Sequence, residues 1–413
     1  MTQNSLFLLS GWILSATTSC LAQEGTLTLA TALRDGLKNH PDIITADASL
    51  KVRLAESLSI AERPNPRLET EFRALNDEPV IELKLMQPIK RSYFGLRQNY
   101  ALIEQASAKA DARAQVAGVL NDVYSRYVEV WTVQELQTIR QQNREDFLSL
   151  REALERGVKA GQGSAVDLAL LNAEIANEAA ERTALESQRL SRSAALARRI
   201  GRTSGSSFRV ERPSGLSLPA DSGTLERFAV RRTPLRLALL KREESARARL
   251  ALVQSDRLGP MEAGMIADHD TDRGGVMIGL GFNFELPLWN RNEAAIAGAE
   301  VAISAARSEL RQVEPTKISA IIKLRHRSAL NAEQSASQYR NEVVPLFEAA
   351  LSQSREAIAK GQGGVNQIQP VISRLTQTRI RAFELQIAAL EARAELEGAL
   401  GGRLEEALAT SVR

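Results

Sequence analysis

From Leu96 to Ala160 the sequence runs 65 residues without a proline, and Gly118 and Gly157 are its only glycines. Proline breaks a helix interior because it lacks an N–H and its ring crowds the preceding turn, so this stretch is free to form one unbroken helix. At ~1.5 Å per residue such a helix would extend about 95 Å, far beyond the width of a small compact domain. Val116, Leu120, Val123, Tyr127 and Val130 follow a 4,3,4,3 spacing along it, the seam of a coiled coil. A second proline-free run, from about Ala165 to Ile200, can return beside the first. Only 4% of the 413 residues are aromatic, whereas Ala, Leu, Glu, Arg and Gln are abundant, a composition suited to long helices.

The plan occurs twice. Gly161-Gln162-Gly163 recurs as Gly361-Gln362-Gly363, an offset of 361 − 161 = 200. Asn39-His40-Pro41 resembles Arg232-Thr233-Pro234, and Gln87-Pro88 resembles Leu286-Pro287, in the same order. The expected division is a secretory signal at 1–22, a first repeat at 23–202, a Ser/Gly/Pro-rich linker at 203–223, a second repeat at 224–400 and a tail at 401–413. Each repeat reads as helix, strand pair, long helix, turn, long helix. Pro315 and Pro345 are expected to break the outgoing path of the second repeat into segments.

The strands carry strict period-two patterns. Val276, Ile278, Leu280, Phe282, Phe284 and Leu286 alternate with Gly279, Gly281, Asn283 and Glu285 between Val276 and Leu288. In Arg67 to Arg73, Leu68, Thr70 and Phe72 alternate with charged residues, and in Val80 to Met86, Ile81, Leu83 and Leu85 alternate with Glu82 and Lys84. Met261 to His269 alternates only weakly. The pattern fits a half-buried sheet packed on helices. It also fits strands whose apolar face meets lipid and whose polar face meets a water-filled lumen. Four strands cannot close a barrel, and an open edge is not tolerated in lipid, but three chains supply 4 × 3 = 12 strands.

Met1 to Ala22 carries no charged side chain and has an apolar run from Leu6 to Ala16, which reads as a secretory signal lacking its usual basic start. Either it is cleaved after Ala22 or a lipid is attached to Cys20, the only cysteine, so no disulfide is expected. No later stretch has the ~18 consecutive apolar residues of a transmembrane helix. Lys plus Arg is 53 and Asp plus Glu is 50, interspersed, so no basic face points to nucleic acid. His40, His269 and His326 lack ligand spacing, and with no Met or Cys cluster no metal site is expected. No phosphate loop or Ser/His/Asp grouping suggests an enzyme or a cofactor.

The ordered motifs resemble the TolC family of outer-membrane efflux proteins over nearly the whole mature chain. They are Leu27-Thr28-Leu29-Ala30-Thr31-Ala32-Leu33 with Asn39-His40-Pro41, Ala61-Glu62-Arg63-Pro64-Asn65-Pro66, and Gly157 to Glu174 with its copy at Gly361. Leu286-Pro287-Leu288-Trp289-Asn290-Arg291-Asn292, running into Ala294 to Glu300, is similar to the CzcC-like branch, which serves heavy-metal pumps of the resistance-nodulation-division class. The resemblance implies a mainly α trimeric channel with a small β part: a 12-stranded transmembrane β-barrel in the outer membrane and a long periplasmic α-helical barrel. It implies a periplasmic adaptor and an inner-membrane resistance-nodulation-division pump as partners, and heavy-metal cations as cargo. A drug-efflux channel, a type I protein-secretion duct and a coiled-coil scaffold are the other readings.

Several residues follow from these expectations. Gly161, Gln162, Gly163, Gly361, Gln362 and Gly363 form sharp turns between helices, and the resemblance makes them adaptor-docking turns at the periplasmic tip. Asp167 starts a return helix, where the helix dipole favours an acid. In the family, aspartates past the second turn ring the channel entrance; here Asn366 and Gln369 hold those positions, which implies an amide-lined aperture. Val276, Ile278, Leu280, Phe282 and Phe284 are the expected lipid-facing residues of their strand.

Overall fold

The computed structural model describes residues 26–75, 78–90, 92, 95–159, 164–202, 208–213, 218–219, 221–257, 259, 261–270, 275–289, 291–359 and 365–404. It is mainly helical, and the elements follow one order twice. The first pass is α1 (Leu29–Asn39), α2 (Pro41–Ala61), β2 (Arg67–Leu75), β3 (Glu78–Ile89), α3 (Leu96–Lys159) and α4 (Ala165–Arg199). The second is α5 (Gly223–Arg232), α6 (Pro234–Ser255), β5 (Met261–Asp270), β6 (Gly275–Phe284), then α7 (Glu293–Gln312), α8 (Pro315–Gln338) and α9 (Val344–Ala359), and α10 (Val365–Leu400).

Each pass opens with a proline joint. Pro41 and Pro234 are the first residues of α2 and α6, where the missing N–H costs no helical bond. Thr28 caps α1 by accepting the Thr31 N–H. Two glycines at positive φ then pack on these joints. Gly201 (φ 71°) follows α4, and a Cβ there would lie 2.3 Å from the Asn39 Cβ; Gly401 (φ 68°) follows α10, and its Cβ would lie 2.2 Å from the Pro234 Cδ. Their offset, 401 − 201 = 200, is that of the Gly-Gln-Gly pairs.

The single helix from Leu96 stands as expected. The second repeat divides the same path: Pro315 starts α8. Pro345 does not end a helix. It is the second residue of α9, preceded by a π-helical turn at Tyr339–Val343, and the wider turn makes room where a proline ring would crowd the carbonyl four residues back. The strand expected to reach Leu288 stops at Phe284, three residues before Pro287; Leu286 and Leu288 follow it as irregular, exposed chain.

Four strands make one antiparallel sheet in the order β2-β3-β5-β6, so the β3–β5 pair joins the two passes and β2 and β6 are its edges. A second, parallel pair was not foreseen: β1 (Thr26–Leu27) with β4 (Arg209–Val210). It lies in a core where Leu27, Phe208 and Val210 are buried against Val123, Tyr127, Val130 and Trp131 of α3, Leu196 of α4 and Ile200 just after it. The Tyr127 hydroxyl lies 2.9 Å from the Leu27 carbonyl oxygen and 2.8 Å from that of Glu211, and burial pushes its pKa well above the ordinary phenol range. Gln134 completes the anchor, accepting the Val210 N–H and donating to the Phe208 carbonyl. β4, inside the expected linker, is thus held to α3.

Candidate channel wall and periplasmic tip

The sheet has two chemically distinct faces. Register aligns Leu68, Leu85, Met265 and Leu280 across all four strands, and Thr70, Leu83, Ala267 and Ile278 in the next outward row. Val276, Ile278, Leu280, Phe282 and Phe284 all project from this face, and Leu280 is 76% exposed. An apolar surface continuous over four strands exceeds the scattered exposed hydrophobics of a protein surrounded by water.

On the opposite face, register places Glu69 beside Lys84, and Glu71 beside Glu82 and Asp268. Lys84 reaches Glu82 at 3.0 Å and Glu71 at 3.5 Å, and Arg67 reaches Glu262 at 3.3 Å. Met86 and Gly281 are buried here, beside Gly264. A Cβ at Gly264 would lie 1.9 Å from the Leu85 carbonyl oxygen, so the close approach of β5 to β3 requires glycine. Small residues such as Ala263, Gly264 and Ala267 are why β5 alternates weakly in sequence.

Below the sheet, α2 packs on α3, α3 on α6 and α6 on α7. A charged clasp crosses this layer. Asp111 on α3 accepts from Arg53 Nη1 of α2 at 2.7 Å and from Arg242 Nε of α6 at 2.8 Å, while Glu104 accepts from Arg53 Nε at 3.0 Å and from the Ser245 hydroxyl. Burial works against the Arg53 charge, but its hydrogen bonds with Asp111 and Glu104 outweigh that and raise its pKa above the usual value. Asp111 and Ser245 are buried, so the clasp fixes one repeat against the other.

Farther out the order is α4, α3, α10, α9. Phe147, Leu150 and Leu154 of α3, Leu171 of α4, Leu351 of α9 and Ile368, Ile372 and Leu375 of α10 make one core, bringing the two helical hairpins together. Polar links border it: Asn143 Nδ2 donates to Glu178 at 2.6 Å, the Thr376 hydroxyl donates to Asn143, and Arg355 and Arg379 both donate to Asp146.

Asp167 lies in the first turn of α4, with its N–H 3.4 Å from the Ser164 hydroxyl, the cap geometry of a helix start. Gln369 is half-buried near the start of α10, next to buried Ile368. Asn366 belongs to the first turn of α10, and its side chain lies outside the described residues. So do Gly161, Gln162, Gly163, Gly361, Gln362 and Gly363, and Cys20 with the signal segment. The three histidines are not brought together. His40 is buried, its Nδ1 accepting the Asp42 N–H and its Nε2 3.3 Å from Asp122; His326 Nε2 lies 2.7 Å from the Pro219 carbonyl; His269 is on the exposed face of β5. Among the described residues no group of three or more His, Cys, Asp or Glu side chains is placed to hold a metal, and no helix is long and apolar enough to cross a membrane.

No family model and no curated protein matches the sequence. Solved structures match the fold. The outer-membrane channel OprN superposes with a TM-score of 0.74 at 16% identity, covering 91% of this chain and 90% of its own. The outer-membrane protein VceC from Vibrio cholerae gives 0.73 at 16% identity over 91% and 96%, and the Campylobacter jejuni CmeC outer-membrane channel gives 0.71 at 12% identity over 93% and 88%. The chain has the TolC-like channel fold.

Proposed function

We propose that three copies of this chain form the outer-membrane exit duct of a tripartite efflux system, conducting cargo passively from a periplasmic adaptor and an inner-membrane resistance-nodulation-division pump to the outside. The observation that carries the reading is the four-stranded sheet, with two edges unpaired among the described residues, one continuous apolar exposed face and one charged face. Backbone groups at an edge cannot remain unpaired in hydrocarbon, so the edges must meet those of other copies, and three copies give a 12-stranded closure. From Val276 to Phe284 the outward side chains span about 27 Å at ~3.4 Å per residue, comparable to the ~25 Å apolar band of an outer-membrane barrel. Lipid then covers Val276, Ile278, Leu280, Phe282 and Phe284.

The helical hairpins extend into the periplasm. Gly161-Gln162-Gly163 and Gly361-Gln362-Gly363 at their turns meet the adaptor, and Asn366 and Gln369, with Asp167 nearby, line the aperture. Heavy-metal cations are the cargo supported by the Leu286 to Glu300 resemblance. A water-filled duct needs no coordinating site, since the pump selects.

Outer-membrane fractionation, the mass of the purified particle in detergent, and a deletion strain's susceptibility to cobalt, zinc, cadmium, copper and a drug panel test this. A soluble periplasmic monomer overturns the channel. Sensitivity to drugs alone overturns the metal cargo.

A further inference from the structure

Charges of both signs are interspersed over the whole chain, which carries +3, but one stretch departs from that balance. From Arg198 to Arg236 there are nine arginines and no lysine against Glu211, Asp221 and Glu226, a net of 9 − 3 = +6, so the remaining residues sum to −3. The structure sets part of this excess beside a matching feature of the other repeat. The short helices α1 and α5 each carry two basic residues four apart, Arg34 and Lys38 on α1 and Arg227 and Arg231 on α5. Residues four apart share one helix face, and all four side chains are exposed. Counted back from the joints at Pro41 and Pro234 the pairs are equivalent, since 41 − 34 = 234 − 227 = 7 and 41 − 38 = 234 − 231 = 3. The two helices have otherwise diverged. In that alignment, from Leu29 to Asn39, only Thr31 with Thr224 and Arg34 with Arg227 are identical. Lys38 and Arg231 lie in last turns, where the helix dipole favours a cation, but Arg34 and Arg227 sit a turn earlier. Among the described residues none of the four is in an ion pair: Asp35 is held by Arg202 at 2.9 Å and Glu226 by Lys323 at 3.6 Å.

From these pairs we infer a docking surface on the outside of the duct for a carboxylate-bearing polymer, of the chemistry found in the peptide chains of a bacterial cell wall. This rests on the trimeric duct proposed above. α1 packs through Leu29 and Ala32 on the core of α3, and α5 packs through Leu225 and Ala229 on Ile318 and Ile322 of α8 and Leu396 and Leu400 of α10. Both are therefore an added layer on the helical wall, and it lies outside, because inside it would fill the duct. Height rules out a lipid surface. α2 and α6, of 21 and 22 residues, run from the two joints to the sheet and span about 31–33 Å at ~1.5 Å per residue. Salt screens exposed charges beyond about 8 Å, so these cations do not feel headgroups at the level of the sheet. Three copies present the two pairs six times around the duct. That arrangement suits a meshwork which the duct crosses and which meets it from every side. Each exposed ion pair contributes little alone, and many made at once on one polymer give useful affinity.

The test is co-sedimentation of the purified full-length protein in detergent with isolated cell-wall sacculi, at low and at high salt. The belt variant combines Arg34→Gln, Lys38→Gln, Arg227→Gln and Arg231→Gln; glutamine is nearly as good a helix former as arginine, so circular dichroism and particle mass should match wild type. The control variant combines Lys51→Gln, Arg182→Gln, Arg192→Gln and Arg381→Gln, which removes the same charge from other exposed positions. Wild type and control should sediment with sacculi at low salt and be released at high salt, whereas the belt variant should bind about tenfold less. The two pair variants, Arg34→Gln with Lys38→Gln and Arg227→Gln with Arg231→Gln, should each fall between, and they carry the test should the fourfold variant fail to assemble. Binding by the belt and pair variants equal to wild type overturns the surface. So does an equal loss in the control, which would make net charge alone responsible. Wild type that ignores sacculi but binds phosphatidylglycerol vesicles overturns it too, in favour of lipid. A wild-type particle of one copy overturns the trimeric duct instead, and sacculus binding lost in that particle's belt variant would leave the surface standing.

Discussion

Leu280→Arg separates a lipid-facing sheet from a water-facing one. Leu280 is the β6 member of the row Leu68, Leu85, Met265 and Leu280, near the middle of its strand and 76% exposed. If water covers that face, the substitution removes no packing and changes stability by no more than about 0.5 kcal/mol. If the bilayer covers it, each arginine near the midplane costs about 2–4 kcal/mol. That is a loss of about 30- to 700-fold in the assembly equilibrium per copy at ~1.4 kcal/mol per tenfold, and about 6–12 kcal/mol over three copies. Glu69→Gln on the charged face of β2 is the control, because its side chain stays in water in either case. The measurement is the fraction of each variant recovered as oligomer in the outer membrane, with the urea midpoint of the recovered oligomer. Leu280→Arg should be depleted and less stable, and Glu69→Gln should match wild type. Equal recovery and equal midpoints for the two would refute the lipid-facing assignment.

Removing the buried hydroxyl with Tyr127→Phe leaves the Leu27 and Glu211 carbonyl oxygens without that donor and should cost about 1–3 kcal/mol, read as a lower thermal midpoint with the trimer retained. If Asn366 and Gln369 line the aperture as proposed, placing Asp at both should make closed-state conductance in planar bilayers more cation-selective and more sensitive to divalent block. If Asp167→Asn shifts selectivity more than that double variant does, the first repeat forms the constriction.

The long helix and three of the four strands were legible because their signals are local. Over Leu96 to Lys159 nothing interrupts the helix, and each of the three strands keeps one face apolar by simple alternation. β5 was weak for a reason only the register reveals: Gly264 is dictated by the Leu85 carbonyl oxygen on the next strand. The two-residue strands β1 and β4 escaped altogether. Their partners are about 180 residues apart in the chain, and their stability comes from Tyr127 and Gln134 on α3. The Arg53, Glu104, Asp111 and Arg242 clasp was equally hidden, since each is an ordinary surface charge on its own helix. Sequence proposed Asp167 as a helix-start acid, which is the position it occupies, while both Gly-Gln-Gly segments lie outside the described residues.

Gly201 and Gly401 carry the duplication into packing. Each closes onto the proline joint of its own repeat at the same offset, so the two repeats keep one geometry where they start and end. They diverge in the outgoing path, where one holds a continuous helix and the other passes through Pro315 and a π-helical turn. Within the chain the repeats meet through β3 with β5 and α3 with α6, that is, through the inner elements of each layer. Under the proposed trimer the outer strands, β2 of one copy with β6 of the next, would repeat that relation between copies.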